Sequence, residues 1–351
     1  MSINEVIQFL ESIAPPVYQE SYDNAGLIVG NRSTEITGVL CCLDSTEAVI
    51  EEAIQMNCKL VVAHHPIVFK GLKRFNGSNY VERTIIKAIK NDIAIYAIHT
   101  NLDNMLYQGV NTRIAETLGL ENTRILAPKK NLKRVAAFGE EATISQLRSQ
   151  LFDIGVGDVN GQSQVSYASL GVGTTAGKGA GRVKFEALFP VHLQGKVQRI
   201  LHDFERQEAL TYHLTTVENS NSQIGSGMIG QLPKAMKTKK FLAYLKERMR
   251  VSCIKHTAIL KDNIQTIAFC GGAGGFLLRN AIGQKADVFI TADYKYHEFF
   301  DADGRIMIAD IGHYESEQFT INLLCEVLSQ KFSNFAAHCT EVNTNPVSYY
   351  C

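Results

Sequence analysis

Apolar positions along the chain fall into short unbroken runs separated by stretches of helical period. Ile3, Val6, Ile7, Leu10 and Ile13 make one helical stripe. Ser2 and Glu5 have the spacing of a capping box, and Pro15-Pro16 ends the segment. Residues 37–43, 60–63 and 93–98 read as buried strands, followed by helical patterns over 45–56, 80–90 and 109–118. The same alternation resumes later: helix 241–248, strand 266–270, helix 276–282, strands 287–292 and 305–311, and a long helix 316–330. Strands that are apolar throughout and alternate with helices predict an α/β protein with a largely parallel sheet.

The texture changes between these halves. A basic joint at 129–134 leads to strand 135–138, helix 143–152, a Gly/Ser-rich stretch over 155–181, strand 183–189, helix 191–204 and strand 210–216. Two βαβ-like halves of this size predict a small ferredoxin-like α+β sandwich. Residues 219–230 read as a linker. The domain expectation is therefore 1–131 with 226–351 as one α/β domain, and 132–225 as an insert. The run Gly171–Gly181 does not fit G-x-x-x-x-G-K-[ST], since no hydroxyl residue follows Lys178, and reads as a flexible loop, with an anion cradle as the lesser alternative.

A chain of 351 residues suits two or three domains. Lys+Arg and Asp+Glu are both 35, so the net charge of +0 gives no electrostatic support for a nucleic-acid or anionic-membrane binder. No apolar stretch approaches the ~20 residues of a membrane span, and the N-terminus lacks the basic and apolar regions of a signal peptide. The eight cysteines include no C-x-x-C pair. Cys41, Cys42, Cys58, Cys270 and Cys325 stand in apolar surroundings and read as free buried thiols of a cytoplasmic protein.

The chemistry gathers where strands end. Strand 60–63 runs into His64-His65-Pro66; strand 93–98 into His99, with Asp103 four residues on. Strand 287–292 runs into Asp293, with His297 four residues on; strand 305–311, which carries Asp310, runs into His313, with Glu317 four residues on. Ligands bind beyond the carboxyl ends of parallel strands, so these groups can meet in one crevice. Each alone has a plainer explanation: a lone buried histidine is more often a core residue, and an i, i+4 His–carboxylate pair more often a solvated helix pair. Four such endings in one chain point to a shared metal site. Imidazoles mixed with carboxylates suit borderline divalent ions (Zn, Fe, Mn, Co or Ni). Five or six ligands exceed one tetrahedral site and suit two cations, which is hydrolase chemistry. Gly271–Gly275, between strand and helix, reads as close backbone packing, with anion contact as the alternative. No residue is singled out as catalytic.

These motifs together resemble the Nif-three-like dinuclear-metal proteins, known as GTP cyclohydrolase 1 type 2 homologs. The matching residues are Asp23-Asn-Ala-Gly-Leu27, His64-His-Pro-Ile-Val-Phe69, His99-Thr-Asn-Leu-Asp103, Thr291-Ala-Asp-Tyr-Lys-Tyr-His297 and Asp310-Ile-Gly-His-Tyr-Glu-Ser-Glu317. Tyr22 and Ala292 depart from the family pattern, where Trp and Gly are common. The resemblance implies His64, His65, Asp103, His313 and Glu317 as ligands of two divalent metals, with Glu317 bridging. His99 would lie close by as a supporting or substrate-contacting group, and Asp293 and His297 match a motif of less defined role. The resemblance further implies a PII/CutA-like insert, a toroidal homohexamer, and hydrolytic opening of the imidazole ring of GTP or action on a related nucleotide. The alternative is a non-catalytic metal-binding regulatory or protein-interaction module.

Overall fold

The computed structural model describes residues 1–175, 178–207 and 210–350. Chain contacts divide it into two units, Met1–Ala127 with Gly225–Cys351, and Pro128–Ile224.

The chain opens with α1 (Ile3–Ile13), whose Ile3, Val6, Ile7 and Leu10 are buried. The Glu5 carboxylate accepts the Ser2 N–H at 2.7 Å, which satisfies an otherwise orphaned donor. Next come β1 (Gly26–Val29), β2 (Gly38–Cys42), α2 (Glu47–Gln55), β3 (Leu60–Ala63), α3 (Tyr80–Lys90), β4 (Ala94–Ala97), the single turn α4 (Thr100–Asp103), α5 (Val110–Thr117) and β5 (Glu121–Lys129). The side chains of Thr46 and Asn79 cap α2 and α3. In the middle of the chain lie β6 (Leu132–Gly139), α6 (Glu141–Asp153), β7 (Ser166–Thr175), β8 (Lys178–Pro190), α7 (Gln194–Gln207) and β9 (Thr211–Thr216). The chain then forms β10 (Asn221–Lys237), α8 (Thr238–Arg248), β11 (Lys255–His256), β12 (Asn263–Ala273), α9 (Leu278–Gly283), β13 (Val288–Ala292), β14 (Met307–Asp310), α10 (His313–Glu317), α11 (Thr320–Lys331) and β15 (Ala336–Cys339).

The first unit holds two sheets, ordered β1-β4-β3-β2-β15 and β11-β14-β13-β12-β10-β5. In the first, β15, β2, β3 and β4 are parallel, and β1 closes the edge antiparallel. In the second, β12, β13 and β14 are parallel, flanked by antiparallel β10 and β11. Alternation along β2 shows how both faces are covered. Val39 and Cys41 join a core shared with α1, α5, α8, α11 and the inner face of the second sheet, whereas Leu40 and Cys42 pack with Val49 and Ile50 of α2 and Ile85 of α3. This two-sided burial is why the strands read as unbroken apolar runs.

The second unit has the element order βαββαβ and a four-stranded sheet ordered β7-β8-β6-β9, which is the split βαβ layout. Phe185, Phe189, Leu147 and Val197 are among its fully buried core.

Three sequence expectations change. Residues 166–175 and 178–190 are paired strands rather than a loop, with Tyr167 opposite Glu186 and Leu170 opposite Val183; positions 176–177 of the expected flexible loop lie outside the described residues. Within the expected linker, residues 221–230 are instead the first part of β10, where Met228, Ile229 and Gly230 pair with Phe269, Ala268 and Ile267. The small residues there serve close approach. Gly227 has φ +61°, and a Cβ on it would stand 2.7 Å from Leu277 and 2.9 Å from the Phe269 carbonyl oxygen. Composition alone cannot separate a glycine that loosens a chain from one that lets two backbones touch. The expected long C-terminal helix is also two helices, α10 and α11.

This packing generates a stability contrast. Gly227→Ala combines a left-handed φ with overlap and is expected to cost about 1–3 kcal/mol. Gly195→Ala, in α7 with open space around its Cβ, is expected to be neutral or to stabilise by up to about 1 kcal/mol. Urea midpoints of the two variants check both signs; equal midpoints would restore the linker reading.

Candidate metal centre

Beyond the carboxyl ends of β3, β4, β13 and β14, side chains from both halves of the chain meet around Glu317. Glu317 is buried on α10, and its Oε2 lies 2.9 Å from His65 Nε2, 3.2 Å from His313 Nε2 and 3.9 Å from His64 Nε2. Because α10 begins at His313, the i, i+4 pair shares one helix face. His64 and His65 extend β3 by one more step of the ladder, their N–H groups donating to the Cys42 and Leu43 carbonyls. Their rings then lie 4.8 Å apart. His99 caps the single turn α4, whose last residue, Asp103, brings Oδ1 to 3.5 Å from His64 Nε2.

Each imidazole is held by its other nitrogen. His64 Nδ1 is 2.9 Å from the Ile98 carbonyl, which only accepts, so Nδ1 carries the proton and Nε2 is left as a lone pair. His65 Nδ1 pairs with Asp44 Oδ1 at 2.9 Å, His99 Nδ1 with Asp23 Oδ1 at 2.8 Å, and His313 Nδ1 with Asp293 Oδ2 at 2.7 Å. Such outer partners fix tautomer and ring angle in metal sites. The inward atoms are left with too few partners. His64 Nε2 and Asp103 Oδ1 are buried without a hydrogen bond, and His65 Nε2 and His313 Nε2 face each other at 3.4 Å. Two lone pairs and a carboxylate at that range repel unless a cation or proton lies among them. Three donor groups could hold a metal ion: His65, His313 and Glu317; His64, Asp103 and Glu317; and His64, His65 and His99. The donor set thus fits a borderline divalent ion.

The electrostatics point the same way. Burial disfavours charge on His65, but hydrogen bonds to Asp44 and Glu317 outweigh it and raise its pKa to about 10. Burial is likewise overcome at His313 by Asp293 and Glu317, giving about 11. Burial and the nearby Glu317 charge push Asp103 up to about 7. Glu317 is penalised by burial, yet hydrogen bonds from the imidazoles, His313 first, hold it well below the ordinary carboxylate range. Without a cation, protons do the work of neutralising this cluster.

Glycine is required beside it. A Cβ on Gly272, at φ +62°, would stand 2.5 Å from Glu317 Oε1. The N–H groups of Gly271, Gly272 and Gly274 donate to Asn111, Ser316 and Thr291. The Gly271–Gly275 run thus packs its backbone closely behind Glu317, with three of its N–H groups engaged by side chains.

The structure brings His64, His65, His99, Asp103, His313 and Glu317 together and sets Asp293 behind His313. It does not bring in His297, which is exposed and packs edge-on against Tyr296. Asp44 was not singled out in the sequence, although it follows the apolar run of β2 just as the histidines follow theirs. Asp310 is buried in a structural role: its carboxylate receives the Tyr294 and Gly312 N–H groups and the Lys255 ammonium.

The cluster forms part of the wall of a cavity of about 890 Å³. Phe69, Tyr80, Phe276 and Tyr349 line other parts of it. No helix among the described residues is long and apolar enough to cross a membrane.

Comparison with known proteins agrees with this architecture. The family profile Duf34/NIF3 (NGG1p interacting factor 3) matches residues 1–346. A Staphylococcus epidermidis protein named GTP cyclohydrolase 1 type 2 homolog is 31% identical, over 99% of this chain and 100% of its own. A Bacillus subtilis protein of the same name is 29% identical, over 98% of each. The crystal structure of a Bacillus cereus protein related to NIF3 superposes with a TM-score of 0.85 at 32% identity, covering 100% of this chain and 99% of that one. A matched profile over nearly the whole length, together with these full-length relatives, shows that the chain belongs to the Duf34/NIF3 (NGG1p interacting factor 3) family.

Proposed function

We propose that the cluster binds two divalent cations and that the protein is a metal-dependent hydrolase acting on a nucleotide or a related cyclic amide. His64 and Asp103 would hold one ion, His65 and His313 the other, with Glu317 shared. The observation that carries this reading is the convergence of inward donors: His64 Nε2 and Asp103 Oδ1 are buried without a hydrogen bond, and His65 Nε2 and His313 Nε2 meet only each other and Glu317. Bound there, the cations would supply Lewis acidity and a water whose pKa falls toward neutrality.

The chain's own residues supply the rest. Asp44, Asp293 and the Ile98 carbonyl hold the three ligand imidazoles in one tautomer. His99 is oriented by Asp23 and stands beside the ligands, its ring 5.3 Å from those of His64 and His65. Its Nε2 is the group we assign to moving a proton to or from the substrate. The relatives' name supports GTP as one substrate to test. The cavity favours recognition by the base rather than by the phosphates. Among the described residues, Lys255 is the only lysine or arginine lining it, and it is already paired with Asp310. The wall also carries Glu20, Asp44, Asp293 and Glu315 beyond the proposed ligands, while Phe69 and Phe276 offer faces for a flat ring. A toroidal homohexamer is part of the same reading, testable by light scattering in solution.

The decisive assay follows ring opening of GTP and guanosine by metal-loaded protein against an Asp103→Ala control; equal background in both discards hydrolysis of these compounds. Metal content gives a second outcome. Glu317→Ala should lower the bound equivalents more than His65→Ala or His64→Ala, because it serves both ions, and elemental analysis reads this directly. Unchanged content in all three variants would contradict the ligand assignment. The pH dependence has a definite sign. His65 and His313 have raised pKa values, about 10 and about 11, in the metal-free protein. Both are protonated at pH 7, so metal uptake must displace protons and must weaken as pH falls. Calorimetry in buffers of different ionisation enthalpy should show net proton release; proton uptake would be inconsistent with these ligands.

A further inference from the structure

We propose that Cys325 and Cys339 form a reversible dithiol–disulfide pair, oxidised by hydroperoxides, at the root of the C-terminal segment that walls the cavity. The site lies apart from the Glu317 cluster. β15 pairs with β2 in parallel, placing Cys339 opposite Cys41, and α11 lays Cys325 against both. The sulfurs of Cys339 and Cys325 are 2.7 Å apart. That lies between the ~2.05 Å of a covalent pair and the 3.8–3.9 Å contacts that Cys339 makes with Asn322 and the Ile321 carbonyl. All three cysteines are free thiols.

The three thiols differ in role. Cys41 is fully buried and donates its S–H to Cys325, as does Cys339. Those hydrogen bonds, Cys41's first, lower the pKa of Cys325 despite its burial. Burial and the contact with Cys325 raise Cys339 to about 12. Cys325 is thus the nucleophile and the half-buried Cys339 the resolving thiol. With hydrogen peroxide, the Cys325 thiolate attacks one oxygen, the O–O bond breaks, and the departing hydroxide (an alkoxide from an organic hydroperoxide) takes a proton to become water. Cys339 then attacks the sulfur of the Cys325 sulfenic acid; the S–O bond breaks, and the hydroxyl leaves with the Cys339 proton as a second water. Two thiols and one hydroperoxide give one disulfide and two hydroxyl products, two electrons passing from sulfur to oxygen.

What the bond would restrain is visible in the next residues. Thr340 donates its N–H to the Cys41 carbonyl and its hydroxyl to Glu52. Thr344 donates to Asp44 Oδ2 at 2.9 Å, and Asn345 to Glu315 at 2.9 Å. Asp44 is the carboxylate that orients His65, and Asn345, Pro346, Val347 and Tyr349 line the cavity. Tying β15 to α11 therefore pins the strand from which this wall hangs.

The test uses the full-length protein. After peroxide treatment, thiol alkylation and proteolysis, mass spectrometry should find the Cys325 and Cys339 peptides joined, the link disappearing on reduction. Cys339→Ser should instead leave Cys325 as a sulfenic acid that a dimedone probe traps. Hydrogen exchange of residues 340–350 should be slower in the oxidised wild-type protein and recover on reduction. Recovery of both cysteines as free thiols at a peroxide dose that already oxidises the exposed Cys253 would overturn the proposal. So would a bond from Cys325 to Cys41, or exchange that is indifferent to oxidation.

Discussion

Every inward-facing imidazole of this site is tied down from behind. A backbone carbonyl and three carboxylates take the Nδ1 protons of His64, His65, His99 and His313. The Nε2 atoms of the His64, His65 and His313 rings are thereby aimed at Glu317. An unanchored imidazole can rotate and choose either tautomer, and so relieve repulsion with its neighbours. Anchored rings cannot, and the cluster is left demanding positive charge. That demand shows in the raised pKa values of His65 and His313 and in the depressed one of Glu317. The fold accepts unfavourable electrostatics here to gather donor groups that could hold a metal ion.

The two sheets are what make the anchoring possible. Parallel strands buried on both faces deliver their ends to one side, and the acceptors arrive on different elements: Asp44 after β2, Ile98 after β4, Asp293 after β13, Asp23 before β1. Close approach does the remainder. Gly272 lets the end of β12 lie against Glu317, and Gly227 lets β10 lie against β12. Neither position tolerates even a methyl group in place. The C-terminal segment adds the last restraint, since Thr344 holds the far oxygen of Asp44.

Much of this was legible because strand-end chemistry is local. Apolar runs stopping at His64-His65, His99, Asp293 and His313 stand out in the sequence, and the helical spacing of His313 and Glu317 follows from geometry alone. Asp44 obeys the same rule and was passed over, because a single aspartate after a strand also serves as an ordinary turn or cap residue. His297 carried a motif spacing, but the chain beyond Asp293 turns through a 3-10 segment that points its ring outward. The Gly/Ser/Asn stretch at 219–230 carried the signature of a linker and is a strand from residue 221 on; its glycines are selected for the space they leave rather than for flexibility.

What the amino-acid order determined by itself was the alternation of β and α, the buried character of the strands, and the positions where titratable groups follow them, since periodicity and burial act over a few residues. What only the tertiary structure decided was which ring nitrogen faces inward, which carboxylates orient and which face the cluster, and that three cysteines distant along the chain share one contact. Those outcomes depend on precise placement of groups far apart along the chain, 252 residues in the case of His65 and Glu317. Local propensity carries no information about such distances, because each is set by the packing of whole sheets against one another.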